Sequence, residues 1–245
     1  MDDVSIYSRA LSESEIAMLY GLVAYYPFNG NANDESGHGY HGTVEGDAVL
    51  CPDRHGNPDS AYCFDGDQDY ITVPGLEDVY LPQYTLSCWF KANSYPGWVL
   101  CKGISGPSYA NNFDITINSD GKVVGEHEIN GTDAVHVISD TTVKTNIWYH
   151  AALMYDGADL KLYINGMLED VNYNPGGPAD IGNCAFDIGA NGEHDGFFDG
   201  AIDEVNIYDR ALSECEIERQ YDLIAFYPLN EDPNNPRREI HDDVL

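Results

Sequence analysis

Basic residues are scarce in this chain: 11 Lys and Arg stand against 42 Asp and Glu over 245 residues, a formal charge of -31. A field of that sign repels nucleic acid and anionic membrane, so neither is expected as a partner. It attracts cations, and divalent-metal sites, a salty habitat or a well-solvated surface would each be consistent with it. No apolar run approaches the roughly 20 residues that span a bilayer, so no membrane span is expected. Met1 is followed by Asp2 and Asp3, not by a basic and then an apolar stretch, so export would imply a leader already removed or a longer parent chain. CxxC is absent, which removes the usual zinc and redox spacings. GxSxG is missing too, and His127-Glu128 lacks the second His of HExxH. The chain is expected to be non-catalytic.

What is present points to β-structure. Hydrophobic residues make up 43% of the chain and there are 18 Tyr, a composition that folds despite the charge. Short alternating runs recur: YTLSCWFKA (84–92), FDITINS (113–119), KVVGEHEI (122–129), AVHVISD (134–140), WYHAALMY (148–155), DLKLYING (159–166) and AIDEVNIY (201–208). Turn signals separate them at NSDGK, YDGAD and NGM. Two stretches alone read as helices, SESEIAMLY (12–20) and SECEIERQY (213–221), each opened by a Ser with Glu three residues on. Many strands and little helix predict an all-β sandwich of two antiparallel sheets.

Five ordered segments then carry a resemblance. GLVAYYPFNGNANDESGHGYHGTV, DRHGNPDSAYCFDGDQDYITV, YTLSCWFKA, WYHAALMYDGADLKLYINGML and DGAIDEVNIYDRALSECEI together resemble the concanavalin A-like jelly roll of the laminin-G-like (LamG) family, in its prokaryotic surface-repeat branch. The likeness covers about residues 22–222. It implies two curved sheets, bound calcium, and a binding module of a secreted or surface protein. Glycosidases of the same fold carry ExDxE along one strand, which this chain lacks. Glu126 and Glu128, on one strand face, come nearest to their carboxylate pair.

One phrase occurs twice. Positions 3–29 and 204–230 share 16 identities in 27, the signature of a duplication. In the LamG family GLVAYYPFN-type segments begin a module and IDEVNIYDRALSECEI-type segments end it. Residues 22–222 are therefore expected to be one module, 1–21 the tail of a preceding repeat and 223–245 the head of a following one. These ends would engage copies of the chain or neighbouring repeats. Strand exchange of that kind builds a head-to-tail filament. The expected role is adhesion or assembly at the cell surface or outside the cell; the alternatives are a carbohydrate-binding module of a tandem-repeat protein and a filament subunit.

Candidate sites follow from the loops. Calcium takes six to eight oxygen ligands, and FNGNANDESGHGYHG (28–42) is rich in them. By the resemblance, Asn29, Asp34 and Asp203, with Ser36 and the backbone oxygen of His41, would hold Ca2+. Asp65, Asp67 and Asp69 imitate the start of an EF-hand loop but lack its later glycine and closing Glu, and read as a turn. Asn191, Glu193 and Asp195 lie in a second polar loop. Glycans are the expected ligand class, with Tyr95, Trp98 and Tyr109 as stacking platforms on loops, whereas Trp89 and Trp148 read as core. The six cysteines fall as Cys51/Cys63, Cys88/Cys101 and Cys184/Cys215. Their even count favours disulfides outside the cell over buried thiols inside it, and Cys88 and Cys101 are expected on adjacent strands.

Overall fold

The computed structural model describes residues 20–103, 113–129, 133–179, 185–194 and 196–222. Both expected end segments, apart from residues 20 and 21, lie outside these, as does most of the helix expected over 12–20. In chain order the strands are β1 (Leu22–Tyr26), β2 (Thr43–Glu45), β3 (Val49–Cys51), β4 (Ala61–Asp65) and β5 (Tyr70–Val73). There follow β6 (Tyr84–Ala92), β7 (Gly97–Lys102), β8 (Phe113–Ile117), β9 (Lys122–Ile129) and β10 (Asp133–Thr142). The last are β11 (Tyr149–Tyr155), β12 (Asp159–Ile164), β13 (Met167–Tyr173), β14 (Phe186–Ile188) and β15 (Asp199–Tyr208), and helix α1 (Glu214–Asp222) ends the described chain. This is the expected two-sheet antiparallel jelly roll.

One sheet has eight strands in the order β13-β12-β11-β6-β15-β4-β3, with β1 also paired to β15. The other has seven, β10-β9-β8-β7-β14-β5-β2. Strand alternation decides which side chains meet between them. Leu86, Cys88 and Phe90 of β6 and Ala151, Leu153 and Tyr155 of β11 face Ile71, Leu100, Ile115 and Val137 of the other sheet in one core. Gly125 of β9 keeps that space open, because a Cβ there would lie 2.3 Å from Leu153 Cδ1. In β15 the inward set is Ile202, Val205 and Ile207. The phase changes at a bulge between Asp203 and Asn206, where Glu204 takes φ 48°.

Helix α1 is opened by the capping box read from the sequence. The Ser213 N–H donates to Glu216 Oε2 at 2.8 Å, and the Glu216 N–H donates back to Ser213 Oγ at 3.4 Å. The segment packs Leu212 and Ile217 against Ala152, Met154, Tyr163 and Tyr208 on the outer side of the eight-stranded sheet. No helix among the described residues is long and apolar enough to cross a membrane.

The cysteines divide. Cys51 and Cys63, on paired strands β3 and β4, form a disulfide with a Cα–Cα distance of 5.8 Å. The expected Cys88–Cys101 bond is corrected: both thiols are free. Strand β6 pairs with β11 and β15, and β7 with β8 and β14, so the two cysteines belong to opposite sheets. Burial pushes both thiols above their usual range. Cys215 carries a free, exposed thiol, and its expected partner Cys184 lies outside the described residues. Alkylation of the native protein, followed by peptide mass spectrometry, is therefore expected to label Cys215 within minutes. Cys88 and Cys101 should react only on unfolding, and Cys51 and Cys63 only on reduction. Rapid native labelling of Cys88 would contradict the core placement.

Candidate functional site

The outer face of the seven-stranded sheet carries a row of polar side chains, one from each of six strands. Cross-strand register aligns Thr72 with Asp187, Asp187 with Cys101, Cys101 with Asp114, Asp114 with Glu126, and Glu126 with His136. Their chain neighbours Ile71, Ile188, Leu100, Ile115 and Val137 are in the core, so alternation turns this row outward. Glu128 lies two residues along β9 and shares the face, as the sequence implied.

A tight loop, described over residues 189–194 and 196–198, lies against the Asp187 end of the row. It is held by the Gly189 N–H on Val99 O (3.0 Å), an Ala190–Phe197 bridge and the Asn191 N–H on Gly196 O (3.2 Å). From it the His194 ring stacks on Tyr70 at 4.1 Å, and its Nε2 lies 3.2 Å from Asp187 Oδ2. Gly196 has no room for a side chain, since a Cβ would sit 2.4 Å from Cδ1 of Trp98. Trp98, aligned with Thr116, is thus half-buried at the loop margin.

The floor of this face is buried and acidic. Asp114 is 1% exposed and Asp187 2%. Among the described residues, Asp114 Oδ2 and Asp187 Oδ1 accept no hydrogen bond. Burial first, then repulsion from Glu126 and Glu128, pushes the Asp114 carboxyl far above its usual range. Burial also raises Asp187, against a hydrogen bond from Thr72 and the charge of His194. Glu126 Oε2 is 2.7 Å from His136 Nε2. The groups of this face within reach of solvent are the Trp98 ring, the His136 and His194 imidazoles and the Glu126 carboxylate, apolar and hydrogen-bonding groups side by side.

Of the expected glycan contacts among the described residues, Trp98 lies on this face. Tyr95 packs against the core and under the β8–β9 turn, 3.0 Å from where a Gly121 Cβ would lie. Tyr109 lies outside the described residues. Asp114, Asp187, His136 and His194 were not singled out from the sequence. Alternation in FDITI and KVVGEHEI marks which residues turn outward, but not which strands are neighbours.

The residues expected to hold calcium are placed as follows. Asp34 Oδ1 accepts the N–H groups of Tyr25 (3.0 Å) and Ser36 (2.8 Å). Its Oδ2 accepts Ser36 Oγ–H (2.9 Å) and the N–H groups of Gly39 (3.0 Å) and Tyr40 (3.1 Å). The Asp34 N–H itself points to His41 Nδ1 at 3.2 Å. Asn29 is exposed, and its carbonyl faces Asn31 Nδ2 at 3.4 Å. Asp203 Oδ2 lies 3.5 Å from Arg54, whose guanidinium is also 3.2 Å from Glu204. Five hydrogen-bond donors meet Asp34, and a guanidinium lies beside Asp203. Asp34 ties the head loop to β1.

The Asp203 cluster sits on the outer face of the eight-stranded sheet. Arg54 lies over Trp89 at 4.4 Å, and Trp89 stacks on Tyr221 and meets His150 edge-on. Burial, then Glu204, push Asp203 up to about 8, while burial and Arg54 lower His150 to about 3. His150 is neutral in the native state, whereas the unfolded chain takes up its proton below the usual imidazole value near 6.5. Its contribution to stability is therefore full above about 6.5 and lost as pH falls toward about 3. Thermal melts of His150→Gln against the parent are expected to show a smaller loss of melting temperature across that window. An unchanged slope would contradict the burial of a neutral imidazole.

Three kinds of comparison bear on this face. The Laminin_G_3 family model, described as the concanavalin A-like lectin/glucanases superfamily, matches residues 65–218. No curated protein matches the chain. Among solved structures, domain 4 of AbnA, a GH43 extracellular arabinanase from Geobacillus stearothermophilus, in complex with arabinotriose, aligns with TM-score 0.66 at 25% identity, covering 80% of this chain and 96% of that one. The binding domain of Paraclostridial Mosquitocidal Protein 1 aligns with TM-score 0.67 at 19% identity, over 83% of this chain and 52% of that one. The binding domain of botulinum neurotoxin DC, in complex with SialylT, gives 0.65 at 14% identity, over 85% and 52%. The chain spans about half the length of those toxin domains, a likeness of fold alone.

Proposed function

The chain belongs to the concanavalin A-like lectin/glucanases superfamily, and from that premise we propose that it is a non-catalytic, glycan-binding module working outside the cell. One observation carries this reading: a loop-bounded polar face edged by Trp98, on a fold shared nearly end to end with an arabinanase domain solved with arabinotriose. The Cys51–Cys63 disulfide supports an oxidising compartment. Against catalysis stand the near-complete burial of Asp114 and the engagement of Glu126 by His136, since a glycosidase presents two accessible carboxyls to one bond. Fold alone does not decide function, so the ligand must be measured. Calorimetric titration with arabinotriose, backed by a glycan array, is expected to give saturable binding without release of reducing sugar. Trp98→Ala should weaken it by about tenfold or more, roughly 1.4 kcal/mol. Binding that Trp98→Ala leaves untouched would place the ligand elsewhere, and silence across the array would end the reading.

The repeated phrase favours a second, compatible role in assembly. Within the module β1, from the first copy, pairs with β15, from the second: Tyr26 with Val205 and Tyr25 with Asn206. Both halves of the phrase therefore already have their places, and residues 4–19 and 223–230 repeat patterns whose positions are taken. Light scattering is expected to show assemblies larger than one chain. A monodisperse monomer at all concentrations would remove the filament reading and leave the glycan reading standing.

A further inference from the structure

The chain crosses from one sheet to the other twice in close succession. The β2–β3 turn leaves the seven-stranded sheet for the eight-stranded one, and the β4–β5 turn returns. These turns are pressed together at Gly46 (φ 71°), where a Cβ would lie 2.3 Å from Gln68 O and 2.8 Å from Asp69 Cα. The approach places Asp47, of the first turn, beside Asp65 and Asp69, of the second. One oxygen of each carboxylate lies within 4.8 Å of the other two.

Three like charges at that separation repel, and on their own they would be no more than an exposed acidic cluster. The buried member makes the difference. Asp69 is 1% exposed. Its Oδ2 accepts the Asp65 N–H at 2.9 Å, but among the described residues its Oδ1 is buried and accepts nothing. A buried acceptor without a donor costs about 1–3 kcal/mol, and more when charged, unless something occupies its lone pairs. Among the described residues no salt bridge joins a basic side chain to the triad, and the overall charge of -31 concentrates cations at the surface.

We infer that Asp47, Asp65 and Asp69 bind one hard divalent cation of the calcium class, which clips the two crossing turns together. Oxygen-only ligands and a charge of three suit calcium over zinc or copper, and water completes the shell. Asp67, in the same turn, stays outside the site; its N–H caps Asp65 Oδ1 at 2.8 Å. This site shares no residue with the set first expected to hold calcium, and it stands apart from the glycan-binding reading.

The test is thermal unfolding of the chelator-treated full chain with CaCl2 added at constant ionic strength, so that general screening does not change. The parent is expected to melt about 3 °C or more higher when CaCl2 is roughly tenfold above its dissociation constant. Asp47→Asn, at an exposed position, and Asp69→Asn should each lose that shift. In chelator both should melt at or above the parent, because one repelling charge is gone. Asp67→Asn should keep the full shift. A parent that does not respond to CaCl2, or a shift that survives in both Asp47→Asn and Asp69→Asn, would overturn the assignment.

Discussion

Everything in this sandwich hangs on β15. It runs along the middle of the eight-stranded sheet, bonded to β6 on one side and on the other first to β4 and then to β1. A strand held on both edges along its length cannot slip register without turning Ile202, Val205 and Ile207 out of the core. The bulge at Glu204 is the one adjustment it makes, and it has two effects. It restores the inward phase for Val205, and it sets Asp203 and Glu204 around one guanidinium, that of Arg54. Chain closure and a buried polar cluster thus meet at a single irregularity.

The two outer faces are treated differently. On the eight-stranded sheet, helix α1 covers Ala152, Met154 and Tyr163, and Tyr221 seals Trp89. On the seven-stranded sheet, a loop sets His194 over Asp187, and the strands beside it carry Cys101 and Asp114. A helix with an apolar stripe makes a dry lid. A loop of Gly, Asn and His leaves hydrogen-bonding groups and an aromatic margin within reach of solvent.

Much of the fold was legible because alternation is a local property. Each of the seven runs read as a strand is one, wholly or in most of its length, and the Ser213–Glu216 capping box opens the helix where its spacing placed it. The disulfide of Cys51 and Cys63 also fell between neighbours in sequence that are neighbours in the sheet. Cys88 and Cys101 were misplaced for the opposite reason. Their strands are consecutive in the chain, yet β7 crosses to the other sheet instead of pairing with β6. Asp34 lies in the head loop, and its oxygens face N–H and O–H groups of that loop and of β1, a pairing that residue types do not reveal.

The sequence by itself determined the strands, the all-β class, the acidic field and the family, since these depend on periodicity, composition and ordered motifs within single segments. Tertiary structure alone decided which polar residues share a face. Asp114 and Asp187 lie 73 positions apart and come into one row through β7 between them. Asp47 meets Asp69 only because Gly46 lets two crossing turns touch. Side chains on one strand meet by alternation, whereas those on different strands meet by register and sheet order. These last are set by long-range packing of the core, which no local pattern encodes.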